Sequence, residues 1–251
     1  MWKHRELLRN LIVADFKIKY QNTSLGFLWS LLSPFLLALV LYLVFRNVFR
    51  GEQYYAVGIL VATLAFRFFS VGTSACLSSL YSKAALITTI NTPRKILVLS
   101  DALSTLITAI LEFVILLPII WWSTKHLVPT IPLFLVAHVL LLLLIYGIGL
   151  ILGALFIYFR DLAQIWSVLL SVLIFCVPIF YPVSIITQET VRQIYLLNPL
   201  TRLIIIYKDV TIYGTLPSVY DFLVVIGFAA FFIVAGNYVF NRLQRRFAEV
   251  M

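Results

Sequence analysis

Charge is what this sequence has least of. Asp and Glu together number 10 in 251 residues, and all charged residues make up 12% of the chain, about half the share of a soluble domain. A water-facing globule of this size needs polar surface that these residues cannot supply. Catalytic hardware is scarce too. The sequence contains no Gly-x-x-x-x-Gly-Lys-Ser/Thr loop for nucleotide phosphates, no His-Glu-x-x-His, no Gly-x-Ser-x-Gly and no Cys-x-x-Cys. The two cysteines, Cys76 and Cys176, lie inside apolar runs without metal-ligand spacing, and read as small hydrophobes. His4, His126 and His138 are scattered, and no pair of acids is suggested by spacing. His138 reads as a packed, hydrogen-bonded side chain rather than a proton relay. These absences argue against an enzyme, and no metal or cofactor is expected in this chain.

What is abundant is oil. Hydrophobic residues make up 63% and the mean hydropathy is +1.05, so the natural solvent is a bilayer. A span needs about 20 mostly apolar residues. Such runs fall at 26–49, 55–80, 97–122, 131–158, 162–184 and 218–240, with only Phe159-Arg160-Asp161 between the fourth and fifth. The expected fold is therefore an all-α membrane protein of six transmembrane helices in one domain over 1–251. The charged start, Met-Trp-Lys-His-Arg-Glu, does not read as a cleaved signal peptide. The net charge of +9 does not indicate nucleic acid, because the basic residues flank apolar runs instead of gathering on one exposed face.

Those basic residues set an orientation. One side would hold Lys3, Arg5, Arg9, Lys17, Lys19, Lys83, Arg94, Lys95, Arg160, Arg242, Arg245 and Arg246; the other would hold Arg46, Arg50, Lys125, Arg192, Arg202 and Lys208. The excess puts both termini in the cytoplasm, and an even number of spans is consistent with that. Three segments do not span. In 1–22, Leu7, Leu8, Leu11 and Ile12 recur at helical spacing with Arg5, Arg9 and Asn10 between them, the pattern of an amphipathic helix on the membrane face. Asp15 and Lys19 spoil a single clean stripe. Segment 81–96 is too polar to span; it suits a short cytoplasmic helix ended near Asn91 by Pro93, or an ordinary loop. Segment 185–217, split by Asn198-Pro199, suits two short helices dipping into the outer leaflet.

The run Asp15-Phe16-Lys17-Ile18-Lys19-Tyr20-Gln21-Asn22-Thr23-Ser24-Leu25-Gly26-Phe27-Leu28-Trp29-Ser30-Leu31-Leu32-Ser33-Pro34 resembles the entry to the first span of ABC-2-type polysaccharide export permeases. Asn91-Thr92-Pro93-Arg94-Lys95-Ile96, Tyr158-Phe159-Arg160-Asp161, Val177-Pro178-Ile179-Phe180-Tyr181-Pro182, and Asn198-Pro199-Leu200 followed by Tyr207-Lys208 resemble the same family in order. Each stretch alone is weak; together they cover the chain. The resemblance implies a membrane subunit of an exporter for O-antigen, teichoic acid or capsule. It implies a second copy of the chain, two nucleotide-binding ABC ATPase subunits that bind ATP and Mg, and a lipid-linked glycan as cargo. Segment 1–22 would be the interface helix, 81–96 the coupling helix and 185–217 the gate helices. The residues assigned to ATPase coupling are Leu86, Ile87, Ile90, Asn91, Arg94, Arg5 and Arg9.

A sugar path calls for aromatic rings and hydrogen-bonding groups more than for a ring of charge. At about 100° per residue, Phe27, Phe35, Tyr42, Phe45 and Phe49 of the first span share an arc of about 80°. Gln164, Ser167, Ser171 and Phe175 of the fifth share another. Polar groups in spans turn to protein or water, so the second stripe is read as facing inward; the resemblance implies that both spans line the conduit, with ordinary helix packing as the plainer alternative. Arg67 and Glu112 both fall roughly 20 Å from the cytoplasmic end of their spans, counting about 1.5 Å per residue. They are read as a structural pair, with contact between Arg67 and a carrier diphosphate as the sharper alternative. An ABC-2 exporter of a small drug or lipid is the competing function. A transferase lacks an acid or nucleophile cluster, and a plain anchor would not need all three non-spanning segments.

Overall fold

The computed structural model of the chain describes residues 5–20, 26, 28–45, 54–89, 93–124, 130–244 and 247. Every regular element among them is helical: α1 Arg5–Tyr20, α2 Leu28–Phe45, α3 Tyr55–Ser82, α4 Ala84–Thr89, α5 Lys95–Thr124, α6 Ile131–Phe156, α7 Leu162–Leu173, α8 Glu189–Leu197, α9 Pro199–Lys208 and α10 Val219–Leu243. Helix is what a lipid solvent demands, because it satisfies backbone groups within the segment. Among the described residues, α3, α5, α6 and α10 are long and apolar enough to cross a membrane. The α2 helix, 18 residues, lies within the first apolar run.

The fifth run departs from expectation. A helix over 162–184 was anticipated, but regular α-helix ends at Leu173 and a single 3-10 turn carries it to Cys176. Val177 is extended, with φ −129° and ψ 154°. Pro178 and Pro182 are the cause, since a residue before proline is pushed out of the α region. The loop that follows is not surplus: Val177, Ile179 and Phe180 are buried, so non-helical backbone at this depth is covered by protein.

The core is the meeting of α3, α5 and α6, with α10 packed along α6 and α1 laid against α5. Small residues let these helices approach, as membrane packing requires. A Cβ placed on Gly236 would come within 2.5 Å of the Gly147 carbonyl oxygen, and one on Gly149 within 2.5 Å of the Cys76 Cβ. Buried Leu11, with Leu7 and Leu8 partly buried beside it, docks α1 on this core. Two of the helices after the loop, α9 and α10, have local start signals. Asn198 accepts a hydrogen bond from the Leu200 N–H at 3.0 Å with Pro199 in the first turn. Ser218 does the same for Tyr220 at 3.2 Å. Buried Arg202 of α9 pairs with Asp221 of α10, and its guanidinium lies 4.8 Å from the Tyr220 ring centre.

Candidate functional site

One face of α7 packs inward and the other is left uncovered. Trp166 donates from Nε1 to Thr73 Oγ1 of α3 at 3.0 Å and its ring sits 6.4 Å from that of Phe69. Leu170 and Leu173 pack on the same side. Opposite them Gln164, Ser167, Ser171 and Phe175 are exposed. The Ser167 hydroxyl donates to the Gln164 carbonyl at 2.8 Å and Ser171 to the Ser167 carbonyl at 2.9 Å. Both serines are thus satisfied by their own helix. Phe175, 63% exposed, ends the stripe. Its ring lies 5.5 Å from Phe180, and its carbonyl accepts from the Tyr181 hydroxyl at 2.7 Å.

The stripe expected on the first span is only partly visible. Phe35 of α2 is exposed. Phe27 and Phe49 lie outside the described residues, as do the side chains of Tyr42 and Phe45.

Within the bundle, Arg67 Nε of α3 and Glu112 Oε1 of α5 lie 3.4 Å apart. Glu112 is almost fully buried, whereas the Arg67 side chain keeps 27% of its surface. A carboxylate removed from water needs a cation nearby, and the neighbouring helix supplies it. Beside this pair His138 is buried. Its Nδ1 lies 2.9 Å from the Tyr207 hydroxyl and 3.2 Å from the Phe134 carbonyl, in a nest formed by the rings of Phe68, Phe113, Phe134 and Tyr207.

At the α1 end of the bundle the residues assigned to coupling are dispersed. Arg5 and Arg9 are exposed on α1, and Leu86 of α4 is partly buried against the core. Arg94 donates to the carbonyl of Gln244 and its guanidinium lies 5.4 Å from the Phe247 ring centre. It is therefore engaged by the chain's own C-terminal turn. Ile90 and Asn91 lie outside the described residues, as does the Ile87 side chain. The strongest link at this end is one that patterning missed. Lys83, between α3 and α4, donates from Nζ to Asp15 of α1 at 2.7 Å, to Asp101 of α5 at 2.9 Å and to Ser100 at 3.1 Å. One ammonium with three donors ties together three helices.

At the opposite end the loop after α7 and the end of α9 meet the start of α3. Lys208 donates to the Pro178 carbonyl at 2.6 Å, and the Tyr55 hydroxyl donates to the Phe180 carbonyl at 2.8 Å. These bonds hold the loop down. Burial, reinforced by the nearby Asp221 carboxylate, pushes Asp209 up to about 6; a Thr215 hydrogen bond and the Lys208 charge partly oppose the shift.

The family model for the ABC-2 type transporter matches residues 6–212, which takes in everything from α1 to the turn after α9. The chain belongs to the ABC-2 type transporter family. Among curated relatives of this ABC-2 chain are two proteins named O-antigen export system permease protein RfbA. That of Myxococcus xanthus is 29% identical, over 99% of this chain and 96% of the relative. That of Klebsiella pneumoniae is 28% identical, over 98% and 95%.

Two features of the ABC-2 chain were hidden in its sequence. Asp15 registered only as a flaw in the amphipathic stripe of 1–22. It is in fact the residue by which α1 binds Lys83, and an acid interrupting the amphipathic stripe was the signal available. Arg202 was counted only among the basic residues of the outer side, and Asp221 was not read as its partner. Nothing in their spacing announces a pair.

Proposed function

We propose that this ABC-2 chain is the membrane permease of an ATP-driven polysaccharide exporter, moving a lipid-linked, O-antigen-like glycan out of the cytoplasm across the inner membrane. The observation that carries this reading is the near-full-length likeness to permeases named for O-antigen export. The sequence has no phosphate loop, so ATP and Mg are assigned to two separate nucleotide-binding subunits. Two copies of the chain, each with six spans and cytoplasmic termini, would stand about a two-fold axis along the membrane normal. The uncovered stripe of α7 would then face the conduit, together with Phe27, Phe35, Tyr42, Phe45 and Phe49 of the first span.

Arg5 and Arg9 of the interface helix would meet the ATPase, with 81–96 as the coupling lever. Lys83 supports this arrangement, since a push on α1 or α4 reaches α5 through one side chain. Segment 185–217 would form the gate. The test is complementation of cells lacking the chain with Tyr42→Ala/Phe45→Ala/Phe175→Ala. Surface polysaccharide should fall while the amount of inserted protein and its recovery with the ATPase stay level. Unchanged surface polysaccharide would sink the conduit assignment. Loss of efflux of a small lipophilic compound, with glycan untouched, would make the chain a small-molecule exporter.

A further inference from the structure

The loop after α7, the end of α9 and the first turn of α3 enclose a cavity of about 160 Å³. The exposed α7 stripe leads to it, because Phe175 at the end of that stripe contacts Phe180 and its carbonyl holds Tyr181. The rings of Tyr55, Tyr181 and Tyr213 line the cavity. The first two are tethered through their hydroxyls to backbone carbonyls, which fixes the rings without filling the space between them. Gly58 keeps the space open: a Cβ built there would meet only the Cε of Lys208, at 3.9 Å.

The polar wall is Lys208 and Asp209, one cation and one carboxyl group. That balance disfavours an anion. A phosphate would face Asp209 and would find the Lys208 ammonium already donating to Pro178. It also disfavours a wholly apolar guest, which would strip water from both groups and return no hydrogen bond. A neutral ring with C–H faces and hydroxyl edges satisfies both walls: tyrosine rings cover the faces, and the charged groups take the hydroxyls.

We propose that this cavity is a binding site for one neutral sugar ring, kept open by Gly58. The site stands on the cavity's own chemistry; that the ring belongs to the exported chain rests on the exporter reading above.

The test uses the full chain in lipid nanodiscs and saturation-transfer NMR with methyl α-glucoside, methyl α-mannoside and methyl β-galactoside, and with inorganic diphosphate as competitor. Transfer to at least one hexoside is expected, retained by Gly58→Ala, reduced to background by Gly58→Leu, and insensitive to diphosphate. Tyr213→Ala, which removes a half-exposed ring of the cavity wall, should weaken transfer several-fold and guards against misfolding of the leucine variant. Absence of transfer in the wild type, full transfer in Gly58→Leu, or displacement by diphosphate would overturn the site. None of these results touches the exporter reading, which is scored separately as surface polysaccharide. With binding established, a several-fold drop in export by Gly58→Leu assigns the ring to the exported chain, and unchanged export assigns it to free saccharide at that face.

Discussion

Helices α3 and α7 are built from similar apolar material and end in opposite surroundings. The apolar window of α3 is 78% buried by the rest of the chain, whereas α7 has no buried residue. Hydropathy records that a helix leaves water; it says nothing about what replaces the water. In a bilayer, lipid tails are as apolar as leucine, so no hydrophobic force sorts one helix to the middle. Shape and polar partners do the sorting. The α3 helix offers Gly72, Thr73 and Cys76 to its neighbours and receives Ile145, Trp166 and Gly149 and Gly153 of α6 against them. On its far side α7 offers Ile165, Val168, Leu169 and Val172, which suit a lipid or a second subunit equally.

The sharpest way to break the contrast is at the buried end of it. Arg67→Ala leaves the Glu112 carboxylate without its cation inside the bundle, a loss of about 3 kcal/mol. Thermal unfolding of the purified chain in detergent would report it. Recovery in Arg67→Ala/Glu112→Ala makes the pair structural; loss of export in the stable double variant points to a substrate contact by Arg67. Next comes Phe69→Ala on α3 against Leu169→Ala on α7. The first should cost about 2 kcal/mol, the cavity part of a core truncation, because the transfer part vanishes when the alternative solvent is lipid. The second should cost the single chain less than about 0.5 kcal/mol and act, if at all, on subunit assembly. Equal losses would erase the distinction between the two helices.

A smaller effect is expected at Lys83. Lys83→Met removes its charge-assisted hydrogen bonds to Asp15 and Asp101, whose carboxylates keep some water access, so the net loss should be about 1.5 kcal/mol, and it loosens α1 on α5. A cysteine at position 11, buried in the intact chain, should become open to thiol labelling in Lys83→Met alone. The smallest effect concerns Asp209. Its carboxyl is raised to about 6, above the range of an unfolded aspartate at about 3.9. The folded state therefore favours the protonated form. The stabilisation is complete below about pH 4 and is lost as pH rises through 6. Asp209→Asn should flatten that slope in melting curves between pH 4 and 7; an unchanged slope would place the titration elsewhere.

Much of the layout was legible because helices in lipid are a one-dimensional problem. Apolar runs of sufficient length marked α3, α5, α6 and α10, and Phe159-Arg160-Asp161 marked the turn before α7. Counting rise along two spans put Arg67 and Glu112 at equal depth, and the structure places them 3.4 Å apart. The end of α7 was misjudged because apolar residues continue past it. Only Pro178 and Pro182 tell against helix there, and proline is tolerated inside membrane helices, as Pro118 within α5 illustrates. Lys83 escaped because its partners lie in segments distant along the chain.

From composition and order alone this chain is committed to a bilayer and to helices, since each backbone group in lipid must be satisfied by neighbours along the chain. Which face of each helix is covered, which charges meet and where a cavity stays open were decided only in three dimensions. Those outcomes depend on contacts such as Asp15 with Lys83 and Gly58 with Lys208, whose partners are remote in sequence and whose meeting no local period encodes.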